Sequence, residues 1–551
     1  MPKTNLPTEL AGLDLLSRAR SKAAEYYAPL LDSDDDVLKV GAWCALLDRE
    51  EVTAAQYPRV VELATHGAIQ RRAFRFFEAN WEHDLAAQVA AKVATRPGAA
   101  RALLMRAELA CDDLGAVEAQ RYRFLASGRF DALVAMVDKE EAAAGWRPAL
   151  ALAVKALVLH PHDPIAADLL LRLLHGARQT DLLALVVAIL TEAQLHPYLV
   201  LLYGAAIRLS EGQPQECLAM LNALGAGTPP RPDLYVKTRP LVLQLTAEAI
   251  EASGDYRGAY AAYVELNRFE VGPKVNLADF GKVIRANAAL EVPALPPDPN
   301  GNFVVMTGFP RSGTTLLENA LAAHPAIETF EEIPSSAAMQ TYLDRAVPTI
   351  DSQAEAVRVF LNARARYYDE ELRRRRKLGA TIFIDKLPMR SAEAALMSKL
   401  FPDKRYIFSI RHPYDVVLSC FRQHFGRNIA MAHFRSIESA ARLYDFTMEQ
   451  WFSCYSLDDP RVHYLRYDDL VTEFTPSMQG VLEFLGLGWD DAVLGFAAAA
   501  EQRAAKTPSY QKVRQGLGLG VQSAWRNYGF VFQSAAVAPL RKWVRFFGYE
   551  G

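Results

Sequence analysis

The sequence predicts a multidomain chain: an all-α helical-repeat domain over residues 1–290, then an α/β domain with a parallel sheet over residues 301–551. Three observations predict it. From about residue 10 to residue 290, Ala and Leu recur at helical spacing, broken by short Gly, Pro or Asp turns and by no strand pattern. The segment EVPALPPDPN at 291–300 then carries four prolines, which rule out helix and mark a stiff linker. Beyond it, short apolar runs alternate with helical segments: FVVMTGF at 303–309, TIFID at 381–385, RYIFSI at 405–410 and VHYLRY at 462–467. Such alternation implies a parallel sheet covered by helices on both faces.

A repeat is visible within the helical part. LVLHPHDP at 157–164 and AQLHPYLV at 193–200 place Pro161 and Pro197 36 residues apart, and Gly176 and Gly212 keep that spacing. A third turn occurs in ASGDYRGAYAAYVEL, around Gly254, Asp255 and Tyr256. Helix-turn-helix units of this length cannot bury their apolar faces alone, so they stack into a curved solenoid with a concave groove. The pattern resembles the tetratricopeptide repeat, whose small and aromatic packing positions are matched by Gly254, Tyr256 and Ala259. Gly128 stands 48 residues before Gly176, and no clear period precedes residue 120, so the number of repeats stays open.

At 551 residues the chain exceeds one ordinary core. A formal charge of -3 from nearly balanced acids and bases suggests neither a nucleic-acid nor a membrane-surface partner. Cys44, Cys111, Cys217, Cys420 and Cys454 lie far apart without a C-x-x-C pair, and read as buried small apolar residues in a reduced compartment. The amino-terminal stretch MPKTNLPTELAGLDLLSRARSKAAEYY lacks an apolar core of signal-peptide length. Leu182 to Tyr203 is greasy but interrupted by Glu192, Gln194 and His196, which makes it a pair of buried helices and no membrane span.

The loop GFPRSGTT at 308–315 sits where the first strand of the α/β part turns into a helix. Ligands of open parallel sheets bind at the carboxyl ends of strands, where a turn into a helix can wrap a phosphate with backbone N–H groups. Gly308 and Gly313 let the backbone approach, Arg311 can fork onto anionic oxygens, and Ser312, Thr314 and Thr315 offer hydroxyls at a positive helix end. The following helix, TTLLENALAAHP, stops at Pro325. The glycine spacing equals that of a Walker A loop, but Thr314 stands where that loop has its lysine. The best carboxylate for magnesium, Asp385, sits beside Lys386, so ATP hydrolysis is disfavoured.

Companion residues follow. In RYIFSIRHPYDVVLSCF, Arg411 leaves a strand and Ser419 lies eight residues on, early in a helix opened by Pro413, so the two can converge on one anion. Local turn and capping contacts explain His412 and Asp415. Lys386, after TIFID, can neutralise charge building on a leaving oxygen, or else pair with Asp385. Glu331 and Glu332 return toward the same sheet edge after IETF, and one of them can serve as a base. His412, His424 and His433 lack metal-ligand spacing, so no metal is expected. The run RRRRK at 373–377 reads as a solvated basic stripe or as a contact for an acidic acceptor.

A strand, PRSGTT, a helix ending in HP and then paired acids together resemble the 5'-phosphosulfate loop of sulfotransferases, especially the tyrosylprotein branch, over residues 302–530. This resemblance implies 3'-phosphoadenosine 5'-phosphosulfate as donor, with Arg311 and the loop on its 5' end and Arg411 with Ser419 on its 3'-phosphate. It implies Lys386 as the lysine acting in the transition state, and Glu332, by its distance from Arg311, as the base in preference to Glu331. It also places Ser509 on the transferring group, Tyr467 near adenine, and Trp525 with Arg526 at the end of the segment covering the donor. Gly516, Gly518 and Gly520 are more numerous than that segment of the family leads one to expect. For the acceptor, a repeat groove favours a peptide or protein tyrosine. A carbohydrate or small-molecule acceptor, and an inactive nucleotide-binding scaffold, stay open as alternatives. The tyrosylprotein branch works behind a membrane anchor that this sequence lacks, so a cytoplasmic, bacterial setting is expected. Oligomeric state is not legible.

Overall fold

Left-handed residues set the register of the amino-terminal helices. Four helices form two consecutive pairs: Pro164–Gly176 with Thr180–Glu192, and Pro197–Ser210 with Pro214–Gly225. In each pair the second helix begins two residues after a positive φ, at Arg178 (φ 57) and at Gly212 (φ 75). Gly128 and Gly254, with φ 65 and 86, stand in the same place before Phe130–Ala144 and Tyr256–Arg268. Such a residue reverses the chain at a helix end, and glycine does so without a Cβ penalty.

The period differs from the expected 36 residues. First helices start 33 residues apart, from Pro164 to Pro197, and second helices 34 apart, from Thr180 to Pro214. Pro161 lies in the turn before its helix and Gly176 ends one, so Pro164 and Arg178 are the true counterparts of Pro197 and Gly212. First helices of successive pairs meet through the Tyr203 hydroxyl, which donates to Asp168 Oδ1 at 2.9 Å. Tyr198 and Thr238 share a hydroxyl contact of 3.0 Å with the next helix, Pro232–Ala252. An apolar core including Leu170, Leu174, Leu199, Leu202 and Leu234 runs through these helices.

The fold comes from a computed structural model describing residues 7–80, 82–95, 113–225, 231–269, 277–333, 335–374, 377–423, 425, 429–496 and 523–549. It divides into two compact units, Met1–Ser253 and Gly254–Gly551. Leu182 to Tyr203 spans two helices, and among the described residues no helix is long and apolar enough to cross a membrane. Cys44, Cys217 and Cys420 are buried and free. Cys454, expected to be buried, is only half-buried, because it lies in the turn after the helix Ile437–Phe452. Cys111 and His424 lie outside the described residues, as do the side chains of residues 371–376.

In the second unit, five parallel strands are ordered β2-β3-β1-β4-β5. They are β1 (Phe303–Thr307), β2 (Ile327–Glu331), β3 (Ile382–Lys386), β4 (Tyr406–Ile410) and β5 (Val462–Arg466). Every residue of β1, β3 and β4 is buried, as central strands covered on both faces require. Period-two alternation gives the sheet an aliphatic face, where Val304, Met306, Ile384 and Ile407 meet Leu317 and Leu321 of the helix Thr314–Ala323. Its opposite face is aromatic, with Phe303 on Phe383 at 4.9 Å and Phe408 on Trp451 at 4.6 Å.

Residues 291–300 form neither helix nor strand, as their prolines demand. This segment is nonetheless anchored: Asp298 pairs with Lys404 at 2.8 Å and accepts from the Tyr368 hydroxyl, and Arg364 Nη1 donates to the Pro296 carbonyl at 2.8 Å. Ahead of it, the helix Tyr256–Arg268 lays Tyr260 and Tyr263 on Phe421, and Asn267 Nδ2 donates to the Phe421 carbonyl at 2.8 Å. Helix and proline-rich segment both belong to the unit Gly254–Gly551.

Candidate active site

The carboxyl ends of the strands bring the candidate residues to one edge. Parallel pairing sets Lys386 of β3 between Glu331 of β2 and Met306 of β1. β4 runs on into Arg411 and β5 into Tyr467. The connection after β1 leaves toward one side of the sheet and that after β4 toward the other, so the loop 308–315 occupies the point where strand order reverses.

Gly313 caps the helix Thr314–Ala323 at φ 101, and a Cβ there would lie 2.3 Å from the Tyr467 ring. Backbone angle and space both demand glycine. Arg311, beside it, holds φ 72. Its Nε donates to Ser419 Oγ at 3.0 Å, and Arg411 Nη1 donates to the Arg311 carbonyl at 3.3 Å. Arg411 also lies over the Tyr467 ring at 4.7 Å. Burial chiefly, with Arg411 and Arg422 adding repulsion, pulls the Arg311 guanidinium down to about 10, so it stays charged at neutral pH. Two arginines in contact form an enclosure that favours an anion. Thr314 and Thr315 are buried in the first helical turn, and the buried Ser312 hydroxyl has no hydrogen-bond partner among the described residues.

Lys386 is fully buried, with its ammonium 3.2 Å from Glu318, 3.3 Å from Glu331 and 3.2 Å from Glu332. Burial alone would lower its proton affinity, but the three carboxylates outweigh it and raise it above the ordinary lysine value. The carboxylates differ in access: the side chain of Glu318 is 4% exposed, that of Glu331 12% and that of Glu332 41%. Glu332 also has a left-handed backbone, φ 51, with its N–H on the Lys386 carbonyl at 2.8 Å. Among the described non-glycine residues of this unit, only Arg311 and Glu332 have positive φ. Backbone strain of this kind concentrates where function over-determines geometry.

Residues 304–491 match the family described as the sulfotransferase family. The carboxy-terminal unit carries a sulfotransferase-family domain. The chain is 26% identical over 201 residues to Protein-tyrosine sulfotransferase 2 of Gallus gallus, covering 35% of this chain and 53% of that protein. It is 27% identical over 242 residues to an uncharacterized protein of Aquifex aeolicus, covering 42% of this chain and 31% of that one. The matched segment thus spans 31% and 53% of these curated relatives. Among solved structures, the sulfotransferase domain of the Synechococcus PCC 7002 olefin synthase overlaps 47% of this chain and 98% of its own at 19% identity, with a TM-score of 0.33.

Elsewhere in the sulfotransferase domain, Asp385 and Lys386 point to opposite faces of β3 and do not pair. Asp385 instead accepts from Arg390 Nη2 at 2.8 Å and from the Tyr367 hydroxyl. His412 caps the helix Pro413–Phe421 through Nδ1, which accepts from the Tyr414 N–H at 3.2 Å. Asp415 reaches further than its expected local role, accepting the Trp525 N–H at 3.1 Å. That bond and a stack of His412 on Trp525 at 5.0 Å hold Trp525 beside the start of the helix Pro413–Phe421, with Arg526 over its ring. Lys377 of the basic run ties the end of the loop helix to the start of β2, donating to the carbonyls of Ala322 and Ile327 at 3.0 and 2.8 Å. Ser509 and the loop 506–522 lie outside the described residues. Among the described residues no group of His, Cys, Asp and Glu is arranged to hold a metal. Glu318 is the site residue that sequence reasoning missed, since an acid beside Asn319 in the helix TTLLENALAA carries no signal of burial.

Proposed function

We propose that the chain transfers a sulfuryl group from 3'-phosphoadenosine 5'-phosphosulfate to a hydroxyl, with a tyrosine of a peptide or protein as the acceptor. The observation that carries this reading is the contact of Arg311 with Ser419 and Arg411, an anion enclosure, at the same sheet edge as the charged Lys386. The Ser312 hydroxyl, without a hydrogen-bond partner among the described residues, and the Gly313 cradle fit an anionic donor. In the proposed step the acceptor oxygen bonds to sulfur while the bond from sulfur to the 5'-phosphate oxygen breaks. The acceptor proton passes to a carboxylate of Glu332, the acid most open to solvent. Lys386 and the Arg311 loop meet the charge on the departing phosphate, and Arg411 with Ser419 holds the 3'-phosphate. No divalent ion is needed in this step, since Arg, Lys and amide donors suffice for the smaller charge of a sulfuryl group. Likeness to protein-tyrosine sulfotransferases supports the acceptor class, as does a helical-repeat half suited to extended peptides.

Adenosine 3',5'-bisphosphate is expected to raise the melting temperature, whereas ATP with magnesium leaves it unchanged. Glu332→Gln is expected to lower kcat by about 10²–10⁴-fold while keeping that thermal shift. Full activity of Glu332→Gln at saturating donor removes the base assignment, and equal shifts with both nucleotides remove the donor.

A further inference from the structure

One of the three carboxylates on Lys386 has no part in the proposed transfer. Glu318 is almost wholly buried and cannot meet an acceptor, and Lys386 already has Glu331 and Glu332. A buried carboxylate is costly unless its charge is used. This one stands on the helix that begins at Thr314, so it is fixed to the phosphate-cradling loop. Glu332, just past the end of β2, is the exposed one by contrast, with its side chain reaching solvent.

Resting on the transfer proposed above, we infer that Glu318 is a positioning residue, holding the Lys386 ammonium charged and aimed at the sheet edge while Glu332 releases it to accept the acceptor's proton. A proton on Glu332 removes one of the three charges facing the lysine. The groups facing Lys386 are Glu318 from the loop helix, Glu331 from β2 and Glu332 just beyond it, while Met306 of β1 brings no charge. Without Glu318 the lysine would keep only Glu331 at the moment of transfer, in a place where burial favours the neutral amine. A neutral lysine offers no charge to the leaving phosphate. Because Glu318 shares its helix with the loop, it also ties lysine and loop to one rigid element.

Full-length protein labelled with ¹⁵N-lysine, with Lys386 assigned through Lys386→Arg, separates the two glutamates. The Lys386 ammonium cross-peak, slow to exchange because it is buried and paired, is expected to survive to pH 9 in the wild type and in Glu332→Gln, and to vanish in Glu318→Gln. Kinetics give the second readout: kcat of Glu318→Gln at saturating donor falls about tenfold or more, the donor KM changes less than about threefold, and Glu318→Asp recovers part of the loss. A Glu318→Gln protein that folds, by near-ultraviolet circular dichroism, and keeps the wild-type cross-peak overturns the inference. If Glu318→Gln does not fold, Glu318→Asp takes its place, and an ammonium signal identical to the wild type's is then the overturning result. Wild-type protein that transfers sulfate to no acceptor defeats the functional proposal, while the ammonium spectra still decide the part of Glu318.

Discussion

The interiors of the two units differ in what they bury. Among the described residues the amino-terminal unit buries one charged side chain, Asp168, whereas the carboxy-terminal unit buries Lys386, Glu318, Asp385, Arg390, Arg411 and others. A helical stack needs little more than interlocking Leu and Ala, and each polar group placed inside it must find a partner. Buried charge adds little to stability, because desolvation offsets most of the attraction. Asp298 with Lys404 fastens the chain ahead of β1, whereas the lysine and three carboxylates gathered at the carboxyl edge of the sheet mark chemistry. Positive φ tells the same story: Glu50, Arg178, Gln194 and His196 turn the chain between helices, while Arg311 and Glu332 stand at the candidate site.

The largest expected break is at Lys386. Lys386→Met leaves three carboxylates facing one another, and kcat at saturating donor is expected to fall by about 10²–10³-fold, with a lower melting temperature. Activity within twofold of wild type would show that the charged interior is structural. Next comes Gly313→Ala, which meets both φ 101 and the Tyr467 ring. Adenosine 3',5'-bisphosphate is expected to bind about tenfold or more weakly by calorimetry, given roughly 1–2 kcal/mol of left-handed strain plus the clash. The double variant with Tyr467→Ala recovers the part due to the clash.

Acid probes both units. Burial chiefly pulls His160 and His175 of the repeats, and His412 of the sulfotransferase domain, down to about 4. A histidine depressed in the folded state contributes stability above its unfolded value of about 6.5 and loses it as pH falls toward the folded value. The melting temperature is expected to drop between pH 6.5 and pH 4; a flat profile there contradicts the burial of these rings. The smallest effect belongs to Tyr203→Phe, which leaves Asp168 without its hydroxyl donor. It is expected to cost about 1–3 kcal/mol in denaturant unfolding and to leave kcat within twofold of wild type. Loss of transfer in that variant would erase the contrast between the units.

Local signals made much of this legible. FVVMTGFPRSGTT shows a strand, a turn and a helix start in thirteen residues, and Pro413 announces the helix that carries Ser419 toward Arg311. The repeat phase was misread because Arg178 adopts the left-handed turn without being glycine, which made Gly176 the tempting anchor. Glu318 was invisible for another reason: an acid on an amphipathic helix ordinarily faces water, and only tertiary packing turns this one onto Lys386. The Lys386–Asp385 pair, left open by the sequence, is ruled out by strand alternation once β3 is in place, since neighbours on a strand face opposite ways.

Incubation of the purified chain with donor labelled in its sulfuryl group, against parallel panels of tyrosine peptides, glycans and small phenols, tests the central claim most directly. The account predicts label on tyrosine peptides, abolished by Lys386→Met. Label confined to glycans or phenols would replace the acceptor, and no label on any class despite saturable binding of adenosine 3',5'-bisphosphate would contradict the account and make the chain a nucleotide-binding scaffold.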